Sequence, residues 1–220
     1  EYERKLYRAK ARLLKALLEE GTLSWQKATD GLKISAQVIQ RLANAGVLKV
    51  EAETRYRYPY EGHFTKREQQ VVLNEEQDNV VEGIWADYKE GIRKTYLLHG
   101  VTGSGKTEVY MELIARLIQT GRQAVVLIPE IALTFQTVRR FYERFGDRVS
   151  VMHSRLSDGE RYDQFLRAKE GETDVIIGPR SALFAPFPKI GMIIIDEEHE
   201  SSYKSETVPK YHAKETAIRR

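Results

Sequence analysis

Gly100-Val101-Thr102-Gly103-Ser104-Gly105-Lys106-Thr107 is the stretch that decides the reading of this chain. It follows the apolar run Tyr96–His99, which reads as a strand, and precedes Glu108-Val109-Tyr110-Met111-Glu112-Leu113, whose apolar spacing predicts a helix. A strand, a glycine-rich turn closing on Lys-Thr and a helix are the setting in which Gly-x4-Gly-Lys-Thr holds phosphate. The glycines let backbone N–H groups turn inward, and a helix N-terminus adds partial positive charge. Gly100, Thr102, Gly103, Ser104, Gly105, Lys106, Thr107 and Glu108 are therefore the candidate nucleotide-binding residues. Lys106 would set its ammonium on the β and γ oxygens, and the Thr107 hydroxyl would ligate Mg²⁺.

Downstream, short apolar runs alternate with amphipathic ones. Ala124–Ile128, Val149–Met152, Asp174–Gly178 and Ile190–Asp196 read as further strands, and Lys106–Thr120, Leu133–Phe145 and Asp158–Lys169 as helices. That order predicts an α/β fold, a parallel sheet with helices on both faces. The last run, Gly191-Met192-Ile193-Ile194-Ile195-Asp196-Glu197-Glu198-His199, ends in consecutive acids. A buried strand has no use for three carboxylates unless they stand at its C-terminal end, where ligands gather in such sheets. Asp196 would hold Mg²⁺ directly or through water, and Glu197 would polarise the attacking water, so that Lys106, Asp196 and Glu197 form the candidate catalytic set. His199 reads either as a structural hydrogen-bonder or as a link from the hydrolytic acid to a second ligand.

Upstream, Leu6, Leu13, Leu14, Leu17 and Leu18 keep a helical period that Gly21 ends. Trp25–Asp30 reads as a short second helix and Ala36–Ala45 as a third, capped by Ser35, with Val38, Ile39 and Leu42 on one face. Val47–Val50 and Thr54–Tyr58 follow as extended pieces. Three helices and a hairpin are the order of a winged helix, which predicts a domain over 1–62, a turn-rich join at Pro59–Lys66 and a second domain over 63–220. The first 60 residues carry a net charge of +5 and the remaining 160 a net of −2, within a formal total of +3. A basic appendage of this kind suits a polyanion, and equally a solvated helix face. With 41% hydrophobic residues among 220, the chain can bury a core, which excludes wholesale disorder. The absence of cysteine excludes disulfides and cysteine-held zinc within these residues, and favours a reducing, cytoplasmic setting. No apolar run is long enough to span a bilayer. A start at Glu1 and a finish in a helical pattern read as a piece of a longer protein.

The acids and the phosphate loop together resemble a superfamily 2 helicase with a DExH box, Asp196-Glu197-Glu198-His199. Val126-Leu127-Ile128-Pro129-Glu130-Ile131-Ala132-Leu133-Thr134, His153-Ser154-Arg155-Leu156-Ser157 and Ile177-Gly178-Pro179-Arg180-Ser181-Ala182-Leu183-Phe184 narrow the resemblance to the PriA family of bacterial replication-restart helicases (primosomal protein N′). Ser202-Tyr203-Lys204 and Tyr211-His212-Ala213 after the acids are similar to that family too. The resemblance is dense over residues 65–220. It implies a RecA-like ATPase lobe truncated before its second lobe, with ATP and Mg²⁺ as cofactors and Gln77 of Leu73-Asn74-Glu75-Glu76-Gln77 touching the adenine. It implies single-stranded and forked DNA as partners, together with primosome proteins and single-strand-binding protein, three-prime to five-prime translocation, and zinc only beyond these residues. Pro129, Glu130, Thr134, Arg180 and Ser181 would contact DNA phosphates or line their path, and Tyr203, Lys204 and Tyr211 would stack bases or hold phosphates. Pro179 stands where the family has Thr, so a hydroxyl and an amide are missing there. Two other readings remain from the residues: a fragment that binds nucleotide and DNA with little turnover, and a winged-helix regulatory NTPase that binds DNA without translocating.

Overall fold

The computed structural model describes residues 2–51, 72–101 and 103–220. Thr54–Tyr58, the join Pro59–Lys66 with the expected boundary at 62/63, and Thr102 lie outside the described residues. The chain divides into two compact units, Glu1–Arg55 and Tyr56–Arg220.

In the first unit, α1 (Tyr2–Glu20) ends where Gly21 takes a left-handed φ of +76°, its N–H donating to the Leu17 carbonyl at 2.8 Å. A wide turn of π type, Lys27–Gly31, and α2 (Ala36–Asn44) follow. Leu13, Ala28, Ile34, Val38, Ile39 and Leu42 form the core, as the period of α2 predicts. Leu18 does not join it and is 88% exposed, because the stripe through Leu13 and Leu17 already fills the contact. Val47–Val50 forms no strand: Val47 and Leu48 lie in a bend, which turns Leu48 back against the core.

In the second unit, α3 (Glu75–Lys89) precedes the phosphate loop and α4 (Lys106–Gln119) follows it. Then come β1 (Gln123–Leu127), α5 (Phe135–Phe145), β2 (Val149–Val151), α6 (Asp158–Glu170), β3 (Val175–Gly178), β4 (Ile190–Ile195) and α7 (Ala213–Arg219). The four strands make one sheet in the order β2-β3-β1-β4, every pair parallel. Alternation along the strands sends side chains to two cores. Ala124, Val126, Val149, Val151, Val175 and Ile177 pack with Tyr110, Ile114 and Leu117 of α4 and Val138 and Phe141 of α5. Val125, Leu127 and Ile176 pack on the opposite face with Ala168 of α6, Leu183, Tyr203 and Ala213 of α7. This is the α/β parallel-sheet architecture of a RecA-like lobe.

The expected strand Tyr96–His99 does not form. Its residues are fastened to the end of α3 instead: the Tyr96 hydroxyl donates to Asp87 Oδ2 at 2.5 Å, Lys94 Nζ pairs with the same oxygen at 2.5 Å, and Leu98 packs against the small core of Val81, Val109 and Leu113. Hydrogen bonding to Lys94 and to Tyr96 holds the Asp87 carboxyl below its usual range. Among the described residues no strand covers the outer side of β4, whose six residues are all half-buried. No helix of the described residues is long and apolar enough to cross a membrane.

Candidate nucleotide site

Asn74 caps α3, its side chain accepting from the Gln77 amide at 2.9 Å while Gln77 Oε1 accepts from the Asn74 amide at 3.0 Å. This capping box fixes the Gln77 side chain, and its Nε2 then donates across 27 residues to the Ser104 carbonyl at 2.9 Å. The residue expected at an adenine therefore stands against the phosphate loop, with one amide hydrogen and one oxygen lone pair still free by its inventory of sites.

The loop turns on two glycines of left-handed backbone, Gly103 and Gly105, each at φ +82°. Gly105 is also the N-cap of α4 and offers no side chain, so no cap group competes for the first-turn amides of Lys106 and Thr107. A Cβ at Gly105 would run into Gln77 Nε2. Gly105→Ala is therefore strained twice, by about 1–2 kcal/mol for the backbone and by displacement of Gln77. A loss of about tenfold in affinity for a fluorescent ADP analogue is expected.

Lys106 Nζ donates to the Gly100 and Val101 carbonyls at 2.8 and 3.0 Å, which holds the ammonium inside the curve of the loop. Across the sheet rim, Tyr110 Oη donates to Asp196 Oδ2 at 3.0 Å. Burial pushes the Tyr110 hydroxyl far above its ordinary pKa, and the Asp196 charge adds to the shift. The Asp196 amide makes the last rung to the Leu127 carbonyl at 2.9 Å, and its Oδ1 accepts from the Glu197 amide at 3.0 Å. Glu197 then takes φ +48°, a left-handed conformation uncommon outside glycine that costs about 1–2 kcal/mol and collects at functional sites. Its Oε2 lies 3.7 Å from His199 Nε2, and Glu198 pairs with Lys214 Nζ at 3.0 Å. Thr107 and Asp196 present a hydroxyl and a carboxylate, hard oxygen donors of the kind Mg²⁺ takes alongside phosphate, so the residues fit that ion.

Glu108 turns away from the loop. It ion-pairs with Arg140 of α5 and lies 4.0 Å from Arg144, because the start of α4 aims position 108 at the neighbouring helix. It is corrected from a nucleotide residue to a tie between helices.

The expected DNA residues come from the loops after β1, β3 and β4, all at the C-terminal edge of the sheet. The Pro129 carbonyl accepts from Ala132 and Leu133 in the turn before α5. Glu130 accepts from the Ser154 amide at 3.0 Å and from its hydroxyl, and these two bonds hold its carboxyl below the usual range. Thr134 caps α5, accepting from the Thr137 amide at 3.2 Å. Among the described residues Arg180 makes no salt bridge: its Nη1 donates to the Ser202 and Lys204 carbonyls at 2.7 and 2.8 Å and so anchors the segment after the acids. Ser181 and Lys204 are exposed, and Tyr211 is half-buried, edge-on to Phe184 with centroids 5.1 Å apart. Tyr203 stands corrected as a base-stacking residue. It is 1% exposed, and its hydroxyl reaches the Leu127 and Asp196 carbonyls at 2.9 and 2.5 Å, which clamps the acid turn from beneath.

Sequence reasoning missed Tyr110 as a site residue. Its signal was spacing alone: three positions after Thr107, it shares a helix face with that hydroxyl.

Comparison with known proteins agrees with this geometry. The chain is similar to the replication restart protein PriA of Bacillus subtilis, at 50% identity over 194 residues, covering 88% of this chain and 24% of that protein. Its similarity to the PriA of Synechocystis is 40% over 220 residues, covering 98% of this chain and 26% of that protein. The PriA of Chlamydia pneumoniae is 44% identical over 149 residues. The chain thus spans a fifth to about a quarter of the length of these relatives, and the resemblance drawn from its motifs is borne out. The family described as type III restriction enzyme, res subunit, matches residues 70–218, the whole phosphate loop, sheet and acid turn, and the chain belongs to that family.

Proposed function

We propose that this chain forms the ATP-binding lobe of a DNA-dependent ATPase that acts as a helicase in replication restart, and that residues 1–62 add a winged-helix domain. The observation that carries it is the 3.0 Å bond from Tyr110 to Asp196, which fastens the helix of the phosphate loop to the acids. The chemistry follows from the residues. Lys106, Gly100, Thr102, Gly103, Ser104 and Gly105 would hold the phosphates of ATP, with Gln77 beside them. Thr107 and Asp196 would hold Mg²⁺, which when bound neutralises charge on the phosphate oxygens. Glu197 would accept the proton of the attacking water.

Single-stranded DNA would cross the rim formed by the loops after β1, β3 and β4. Thr134, Ser181, Lys204 and Tyr211 are the surfaces offered there, whereas Pro129 is buried and Glu130 and Arg180 serve by holding the loops they bridge. Forked DNA, primosome proteins and single-strand-binding protein are partners of the whole protein on this reading, which places any zinc outside residues 1–220. Three-prime to five-prime translocation, and slow turnover by the isolated chain, belong to the same proposal.

The deciding measurement is ATP hydrolysis by the complete protein without DNA, with single-stranded DNA and with forked DNA. A large rise with DNA, greatest on the fork, is expected. Indifference to all DNA would leave a nucleotide-binding protein that does not translocate and would overturn the proposal.

A further inference from the structure

His153-Ser154-Arg155-Leu156-Ser157 follows β2. Every strand pair is parallel, so this loop stands at the same C-terminal edge as the loops after β1, β3 and β4. In the order β2-β3-β1-β4 it is the end of that edge farthest from the acid turn. Two features hold it against its neighbours. Glu130, from the loop after β1, accepts from the Ser154 amide at 3.0 Å and from the Ser154 hydroxyl. Gly178, at the end of β3, lies so close to the β2 chain that a Cβ there would stand 2.6 Å from the Met152 carbonyl oxygen. The base of the loop is fixed as well: Leu156 is buried and Ser157 forms a capping box with Glu160. The amides of Ser154, Leu156 and Ser157 are already committed, to Glu130, to the His153 carbonyl at 3.3 Å and to Glu160 at 2.8 Å. An anion at this loop therefore meets side chains rather than a ring of backbone N–H groups.

The arginines of this unit sort by what they hold. Arg140, Arg144, Arg148 and Arg180 each grip a carboxylate or a backbone carbonyl. Arg155 is exposed and makes no hydrogen bond and no salt bridge among the described residues. Arg161, in the first turns of α6, is also exposed and reaches only the exposed Asp158, at 4.0 Å. We propose that the loop after β2 is a further phosphate-binding site for single-stranded DNA, in which Arg155, with Arg161 beyond it, holds the strand's backbone. This rests on the DNA route read above and lengthens it past the loop after β3 by one strand spacing, about 5 Å. A guanidinium suits the task because it is always charged and presents a fork of donors to phosphate oxygens. Contact with phosphate alone carries no sequence information, as a motor that moves along any strand requires.

The test uses the complete protein, a labelled oligothymidylate and a series of salt concentrations. Arg155→Ala is expected to bind the strand about tenfold more weakly at low salt, the size of one charge-assisted hydrogen bond. The slope of log affinity against log salt is expected to flatten by about 0.7, the share of one phosphate on a single strand. Arg122→Ala is the control, because Arg122 is equally exposed but stands at the opposite edge of the sheet, just before β1, and it is expected to change neither quantity. Thermal melts establish that each variant is folded, and Arg155→Gln, which keeps much of the stem, is measured in the same way should Arg155→Ala fail to fold. Unchanged affinity on loss of the Arg155 charge overturns the site and leaves the DNA route standing. A loss of affinity with an unaltered salt slope, or an equal loss in Arg122→Ala, also overturns it, since neither is the mark of a phosphate held at this loop. Failure of the unaltered protein to bind the oligonucleotide at all overturns the DNA route itself, a result distinct from the others.

Discussion

Glu197→Gln in the complete protein is expected to keep its affinity for Mg-ATP within about twofold and to lose at least about 100-fold in turnover, the range a positioned general base contributes. Two observations separate binding from chemistry. Glu197 meets the metal-holding set through its backbone, where its amide donates to Asp196 Oδ1, and glutamine keeps that amide. The side chain carries the rest: it is 45% exposed, projects from a left-handed backbone at φ +48°, and lies 3.7 Å from His199. Glutamine matches its shape and cannot take a proton. Single-turnover hydrolysis and nucleotide titration on the same protein check both halves. Undiminished turnover would remove Glu197 from its role.

Lys106→Ala is expected to weaken ATP binding by about 100-fold or more. Charge-assisted hydrogen bonds contribute about 1.5–3 kcal/mol each, and about 1.4 kcal/mol corresponds to a factor of ten. The ammonium is held in the curve of the loop by the Gly100 and Val101 carbonyls at 2.8 and 3.0 Å, where a phosphate would meet it without rearrangement of the helix. Alanine removes the charge and leaves the carbonyls of two exposed residues, which water can serve, so the unfolding temperature without nucleotide should move little. Isothermal titration with ATP analogues measures the first effect and a thermal melt the second. Unchanged affinity would show that the loop does not hold phosphate through this side chain.

The chain's own residues announced the fold where local chemistry and burial agree. Gln123–Leu127 is apolar almost throughout and is wholly buried in the sheet, and a run of that kind has few other places to go. Thr134, Ser157 and Asn74 stand at the starts of α5, α6 and α3, where a short polar side chain satisfies an amide that the helix leaves open. Tyr96–His99 looked no different from a strand, yet a strand exists only through its neighbour's backbone. Here the Asp87 carboxylate captured Tyr96 and Lys94 first.

Residue type and spacing alone determined which groups could do chemistry: a lysine and threonine at a glycine turn, an aspartate and glutamate at a strand end, and a parallel sheet to bring them together. Tertiary structure alone decided what each group is tied to. It sank Tyr203 beneath the acid turn, set Arg180 on two backbone carbonyls, gave Glu130 to Ser154 and Glu108 to Arg140, and joined Tyr110 to Asp196. The reason is that donor and acceptor capacity belongs to a side chain, whereas its partner and its burial depend on residues far away in the chain, 86 positions apart for Tyr110 and Asp196.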